Sequence, residues 1–204
     1  MNISASLRLC GVLCLFVPLA LTGSAEGHSS RQVKWEEMHI FGDRVVLFLR
    51  YDLSEPRFIS DLRERFDFDA RRSLDADERN SLVEYVQMLA AQDIHLRFDG
   101  QEISPVMTLK ATSGLDRELP SAYPIILYWQ LDFLFPAGAE FGASSEIATS
   151  HVISFEDKEA RWNSPFTCMV RFAPGIEESG LKSRQKPRSF EFPGGKGSFR
   201  LTID

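Results

Sequence analysis

The sequence predicts a mainly β (α+β) fold: an antiparallel β-sandwich with one inserted helix–loop–helix of EF-hand-like character. Three observations lead there. Short segments after residue 93, such as "IHLRF" and "FTCMVRF", alternate apolar and polar residues with period two. Turn residues divide them, above all Asp99-Gly100, a strong type I′ hairpin signal. Between about 54 and 92 the apolar period lengthens to that of a helix, twice, around an acidic run.

Taken in order, "DRVVLFLRYDL" (43–53) is apolar on both faces, which suits a central strand. In "SEPRFISDLRERF", Ser54 can serve as N-cap and Pro56 suits the first turn. Phe58, Ile59, Leu62 and Phe66 then share a helical face. A second helix runs from about Ala76 to Gln92 with Leu82, Val83, Val86, Leu89 and Ala90 inward. "IHLRF" and "ISPVMTLKA" flank the Asp99-Gly100 turn as a hairpin. "YPIILYWQLDFLFP" places Leu127, Trp129, Leu131, Phe133 and Phe135 on one face. "SEIATSHVISFE" and "FTCMVRFA" are further strands. The end, "SFEFPGGKGSFRLTI", reads as a hairpin about a glycine-rich turn, reached through a polar loop or tether at 175–188.

Residues 1–25 have the order of a secretory signal peptide: Arg8, an apolar stretch from Leu9 to Leu21, then small residues in "TGSAEG". Cleavage after Ala25 or after Gly27 fits, and an uncleaved anchor is the alternative. The expectation is an exported protein, periplasmic or extracellular, with residues 26–204 as a single β-rich domain. Net charge is −6, and −7 without Arg8, a balance that argues against nucleic acid, whose phosphates attract a basic face. Beyond the leader Cys168 stands alone, so no intrachain disulfide is expected. Its alternating setting suits a buried small hydrophobe better than a reactive thiol, because no histidine or lysine is adjacent in sequence. Fifteen of the sixteen phenylalanines follow the leader and predict an aromatic-rich core.

The acidic run carries the most specific chemistry. From Asp67, "DFDARRSLDADE" matches a calcium loop at positions one, three, nine and twelve through Asp67, Asp69, Asp75 and Glu78, with the Ser73 carbonyl at seven. A hard dication wants six or more oxygens, the last glutamate supplying two. Two positions depart from this set. Arg71 stands at five, and Arg72 at six, where a positive φ is required. Asp75 and Glu78 also form a capping box for the second helix without any metal. Asp67 and Asp69 sit at a helix C-terminus, where the macrodipole disfavours anions. Either a cation or the two arginines must compensate them, and the arginines are the expectation.

A strand, an acidic loop between two helices, "LRFDGQEI" and an aromatic strand ending "DFLFPAG" together resemble exported N-terminal domains. Such domains are found with bacterial HupE/UreJ-like and nickel/cobalt-type transporters. The resemblance runs from about Val45 to Phe172. In such relatives the loop is closer to "DxDGDGxLxxxE", from which Arg71 and Arg72 depart. It implies an accessory extracytoplasmic domain whose partner is a membrane transporter or another envelope protein. It does not imply transport by this chain.

Four histidines are present: His28, His39, His95 and His151. None lies at i, i+4 from another, and no Cys–His spacing suggests zinc. Cleavage after Ala25 would leave Glu26-Gly27-His28, whose amine, two amides and imidazole suit square-planar Cu(II) or Ni(II). Cleavage after Gly27 would leave His28 to chelate through amine and ring. The competing reading is an ordinary polar terminus. His95 is expected outward beside Arg97, and His151 as a hydrogen-bonded core residue facing Ile147, Ile153 and Phe155. No nucleophile elbow, HExxH or phosphate loop occurs. The function expected is therefore a non-enzymatic accessory or binding domain. The alternatives are a calcium-stabilised domain and an N-terminal Cu(II)/Ni(II) site.

Overall fold

The computed structural model describes residues 33–117, 123–137, 150–158, 165–176, 178 and 187–203. The leader, His28, Ile147 and most of the 175–188 segment lie outside them, as does the side chain of Phe58. The described chain is mainly β, with two sheets and two helices. In chain order the elements are β1 (Val33–Ile40), β2 (Arg44–Leu53), α1 (Pro56–Phe66), α2 (Ala76–Asp93), β3 (Ile94–Phe98) and β4 (Gln101–Ile103). They continue as β5 (Val106–Ser113), β6 (Ile125–Leu134), β7 (His151–Asp157), β8 (Phe166–Phe172), β9 (Arg188–Phe192) and β10 (Gly197–Ile203). One sheet has the order β5-β6-β2-β1-β8-β9 and the other β10-β7-β3-β4. Every described pairing is antiparallel except β1 with β8, which run parallel, so the wholly antiparallel arrangement expected from sequence is corrected at that pair.

Period-two burial explains the core. Ile125, Leu127, Trp129, Leu131 and Phe133 alternate inward along β6, and Phe166, Cys168 and Val170 along β8. Side chains of both sheets and both helices belong to one hydrophobic cluster. Aromatic contacts cross between the sheets, the rings of Phe190 on β9 and Phe199 on β10 stacking with centroids 4.0 Å apart. β2 is central, between β6 and β1; Val45, Leu47, Leu49, Tyr51 and Leu53 are buried on one face, and Val46 alone is buried on the other. Among the described residues no helix is long and apolar enough to cross a membrane.

One strand is added and three local expectations are revised. Strand β1 escapes the period test because its inward face reads Lys34, Glu36, Met38, Ile40, half charged and half apolar. Residue Glu55, with no side-chain capping hydrogen bond, caps α1 in place of Ser54, and Pro56 opens the helix. The segment after Asp99-Gly100 is two strands, broken at Ser104-Pro105: β4 pairs with β3, and β5 joins β6 in the other sheet. Proline lacks the N–H that a continuous ladder needs. Finally, β9 and β10 are not a hairpin. β9 pairs with β8 and β10 with β7, so the "PGGKG" turn is a corner between sheets. The Phe192 ring occupies the space where a Cβ on Gly197 would stand.

The turn itself is as expected: Asp99 (φ 50) and Gly100 (φ 84) both take the positive φ of a type I′ hairpin. Glycine is also required at Gly114, after β5. Its φ is +81, and a Cβ there would meet the Pro124 carbonyl oxygen at 2.2 Å. The Gly114 carbonyl accepts a hydrogen bond from the buried Arg63 guanidinium, which ties α1 to this corner. Gly114→Ala is expected to cost about 3 kcal/mol through combined backbone strain and overlap. In thermal unfolding this should lower Tm by about 9 °C.

Candidate functional site

The acidic loop joins α1 to α2. Phe66, at the end of α1, packs against Tyr85 on α2 with ring centroids 5.6 Å apart, and Arg65 donates to the Tyr85 hydroxyl at 3.1 Å. These contacts fix the separation of the two helices. At the other end Asp75 is the N-cap of α2, accepting from the N–H groups of Asp77 and Glu78 at 2.9 Å, while Glu78 reaches back to the Asp75 N–H at 2.9 Å. The capping box predicted from sequence is therefore formed.

Of the five residues expected as calcium ligands, the fold gathers Asp67, Asp69 and Glu78, one oxygen from each lying within 4.8 Å of the others. Asp75 is committed to capping, and Ser73 is exposed. Each of the six oxygens in the gathered set already has a donor. Asp67 accepts from the Arg71 and Arg72 N–H groups at 3.1 Å. Asp69 accepts from the Arg71 N–H at 3.1 Å and faces the Arg71 Nε at 2.8 Å. Glu78 accepts from the Phe68 N–H at 2.6 Å in addition to the capping bond. The arginines thus act unequally. Arg71 contributes its guanidinium, whereas Arg72 contributes its backbone, at φ 65, with Ala70 at φ 56. Position six takes the positive φ expected of it without a glycine.

Three histidines are described, and each meets a carboxylate. His39 lies 2.8 Å from Glu37, and His95 2.7 Å from Glu102 on the exposed face beside Arg97. His151 Nδ1 lies 2.7 Å from Asp99 Oδ2, in the hairpin turn, and its ring stacks on Phe98 at 5.0 Å. His151 is therefore hydrogen-bonded, as expected, but at the sheet margin with a half-exposed partner. Partial burial raises the Asp99 carboxyl. The bonds from His151 and the Val152 N–H outweigh that and bring it below the usual carboxylate range.

The constellation that sequence reasoning missed is buried between the sheets. Lys34 and Glu36 point inward from β1, and Asp157 points inward from the end of β7. The Lys34 and Asp157 side chains are 1 % and 0 % exposed and in direct contact. Glu36 Oε1 is 3.2 Å from Lys34 Nζ, within ion-pair distance but off the line of a hydrogen bond, and neither Glu36 oxygen has a hydrogen-bond partner. Register explains the rest of the shell. Lys34 is the cross-strand neighbour of Tyr51, whose ring centroid is 5.3 Å from Nζ, and Phe166 lies 5.1 Å away on another side. Cys168 is the parallel-pair neighbour of Glu36.

Electrostatics follow from burial. Loss of water pushes the Glu36 carboxyl up to about 8. Lys34 works against the shift and Asp157 adds to it, so Glu36 holds a proton at neutral pH. The Cys168 thiol is pushed well above its ordinary value, first by burial and then by the facing acids. A lysine is near Cys168 in space after all, but the carboxylates outweigh it. One signal was legible in advance: two charged residues at i and i+2 on a strand face that continues Met38, Ile40.

Since the folded Glu36 binds its proton more tightly than the unfolded chain does, its contribution to stability is fully present below about pH 4.5. That contribution is lost as pH rises toward 8. Glu36→Gln should therefore gain on the parent as pH rises, by about 4 °C of Tm per pH unit inside that window, in paired thermal melts. Cys168 should resist aromatic disulfide reagents in the native state and react only as denaturant unfolds the chain, followed by thiolate release. No protein-family model matches the chain, and no curated protein sequence does either.

Proposed function

We propose that the chain is an exported, non-enzymatic accessory or binding domain, a β-sandwich with a degenerate EF-hand-like insert that serves a membrane transporter or another envelope protein. The observation that carries this reading is the acidic loop. Its Asp67, Asp69 and Glu78 oxygens are held by N–H groups and by the Arg71 guanidinium, so the loop can stand as a metal-free joint between two helices. An exposed pair such as Arg71–Asp69 is worth about 1 kcal/mol or less, so the backbone N–H donors carry most of the compensation. The similarity of the loop and its flanking strands to domains found with nickel/cobalt-type transporters supports the choice of partner.

Calcium binding is a second reading, and one observation favours it: three carboxylates converge within 4.8 Å on a backbone with positive φ at Ala70 and Arg72. Melting with and without millimolar calcium separates the two. The parent chain is expected to show no shift, and a rise in Tm would favour the calcium-stabilised domain instead. In the double variant Arg71→Asp, Arg72→Gly the missing ligand and the flexible sixth residue are both restored. That variant is expected to gain a calcium-dependent rise of several degrees, which locates the block at those two positions.

A further inference from the structure

We propose that Lys34 and Asp157 become joined as an intramolecular amide, formed by condensation in the core with Glu36 moving the protons. The two residues belong to different sheets and stand 123 positions apart, yet their side chains are in direct contact and sealed from solvent. The fold thus holds a primary amine against a carboxyl group over its whole folded lifetime. Well-oriented intramolecular pairs reach effective molarities on the order of 10⁵ M or more, far above what two solutes achieve in water.

Glu36 completes the set. It projects from the same strand face as Lys34, with Oε1 3.2 Å from Nζ, and neither of its oxygens is engaged by a hydrogen bond. Its carboxyl faces both the amine and Asp157, and burial keeps it protonated at neutral pH. The rings of Tyr51 and Phe166 flank Nζ and limit the approach of water, and Cys168 closes the side next to Glu36.

The steps balance without an oxidant or any co-reactant. One proton passes from the Lys34 ammonium to the Asp157 carboxylate, which leaves a neutral amine and a neutral acid, the pair a low-dielectric interior favours. Nζ attacks Asp157 Cγ and a C–N bond forms. Glu36 delivers its proton to the departing hydroxyl and takes one from Nζ, the C–O bond breaks, and one water leaves. Glu36 ends as it began. Condensation also removes two buried charges, whose desolvation opposes any ion pair kept in such a place. Dry surroundings then protect the amide from hydrolysis. Burial is the first cause of the raised Glu36 carboxyl and persists in the linked form, so the pH behaviour of Glu36 keeps its sign.

Mass spectrometry of the purified full chain, denatured and digested with trypsin, tests this. The expected result has three parts: no cleavage after Lys34, a branched peptide joining the Lys34 and Asp157 segments, and a mass one water below their sum. Glu36→Ala and Glu36→Gln should restore cleavage after Lys34 and the full mass. Should either variant fail to fold, the parent digest decides by itself. Complete cleavage after Lys34 in the parent, with both linear peptides at full mass, would overturn the proposal and leave a buried ion pair. A branched peptide persisting in Glu36→Ala would overturn the part assigned to Glu36.

Discussion

Lys34 and Asp157 meet in the space between the two sheets, and most of what is unusual about this molecule traces to that meeting. Charged groups resist removal from water unless each finds a partner. Strand β1 can lie between β2 and β8 with Lys34 and Glu36 inward only because β7 delivers an acid to the same spot. The parallel pairing of β1 with β8 brings Cys168 alongside Glu36. The register of β1 with β2 sets Tyr51 beside Lys34. A slip of one residue in β1 would turn both charges outward and Trp35 and Glu37 inward, so the cluster also fixes strand register.

The acidic loop is built on a different principle. Asp69 is exposed and Asp67 half-buried, Glu78 is buried with both oxygens held by N–H groups, and the geometry is imposed by the backbone. Asp67 receives two successive N–H groups because the chain turns through positive φ at Ala70 and Arg72. Glu78 spans from the Phe68 N–H to the Asp75 N–H, clamping the C-terminal end of α1 to the start of α2. Charge compensation there is local and shared among many weak donors. In the core it is concentrated in three side chains with nowhere else to turn.

These two sites frame the proposed role. Under the proposed role a covalent tie would matter, because beyond residue 25 this chain has a single cysteine and no intrachain disulfide can form there. A tie between sheets through Lys34 and Asp157 would serve the purpose that a disulfide serves elsewhere, linking segments distant in sequence. The loop between the helices carries Phe68 exposed at its surface.

Local chemistry was legible from the residues alone wherever a feature closes within a few positions. The Asp99-Gly100 turn, the capping box of Asp75 and Glu78, the helical faces of Ile59, Leu62 and Phe66, and the alternation of β6 and β8 all depend on neighbours at short range. Pairing between distant segments was not legible. Nothing near "VKWEEMHI" announces that Asp157 will meet Lys34, and the periodicity reading assigned no strand there. Nor does the "PGGKG" turn reveal that its two arms enter different sheets. Short-range periodicity records which face of a segment is buried, whereas the partner that makes a buried charge tolerable is chosen only when the chain folds back on itself.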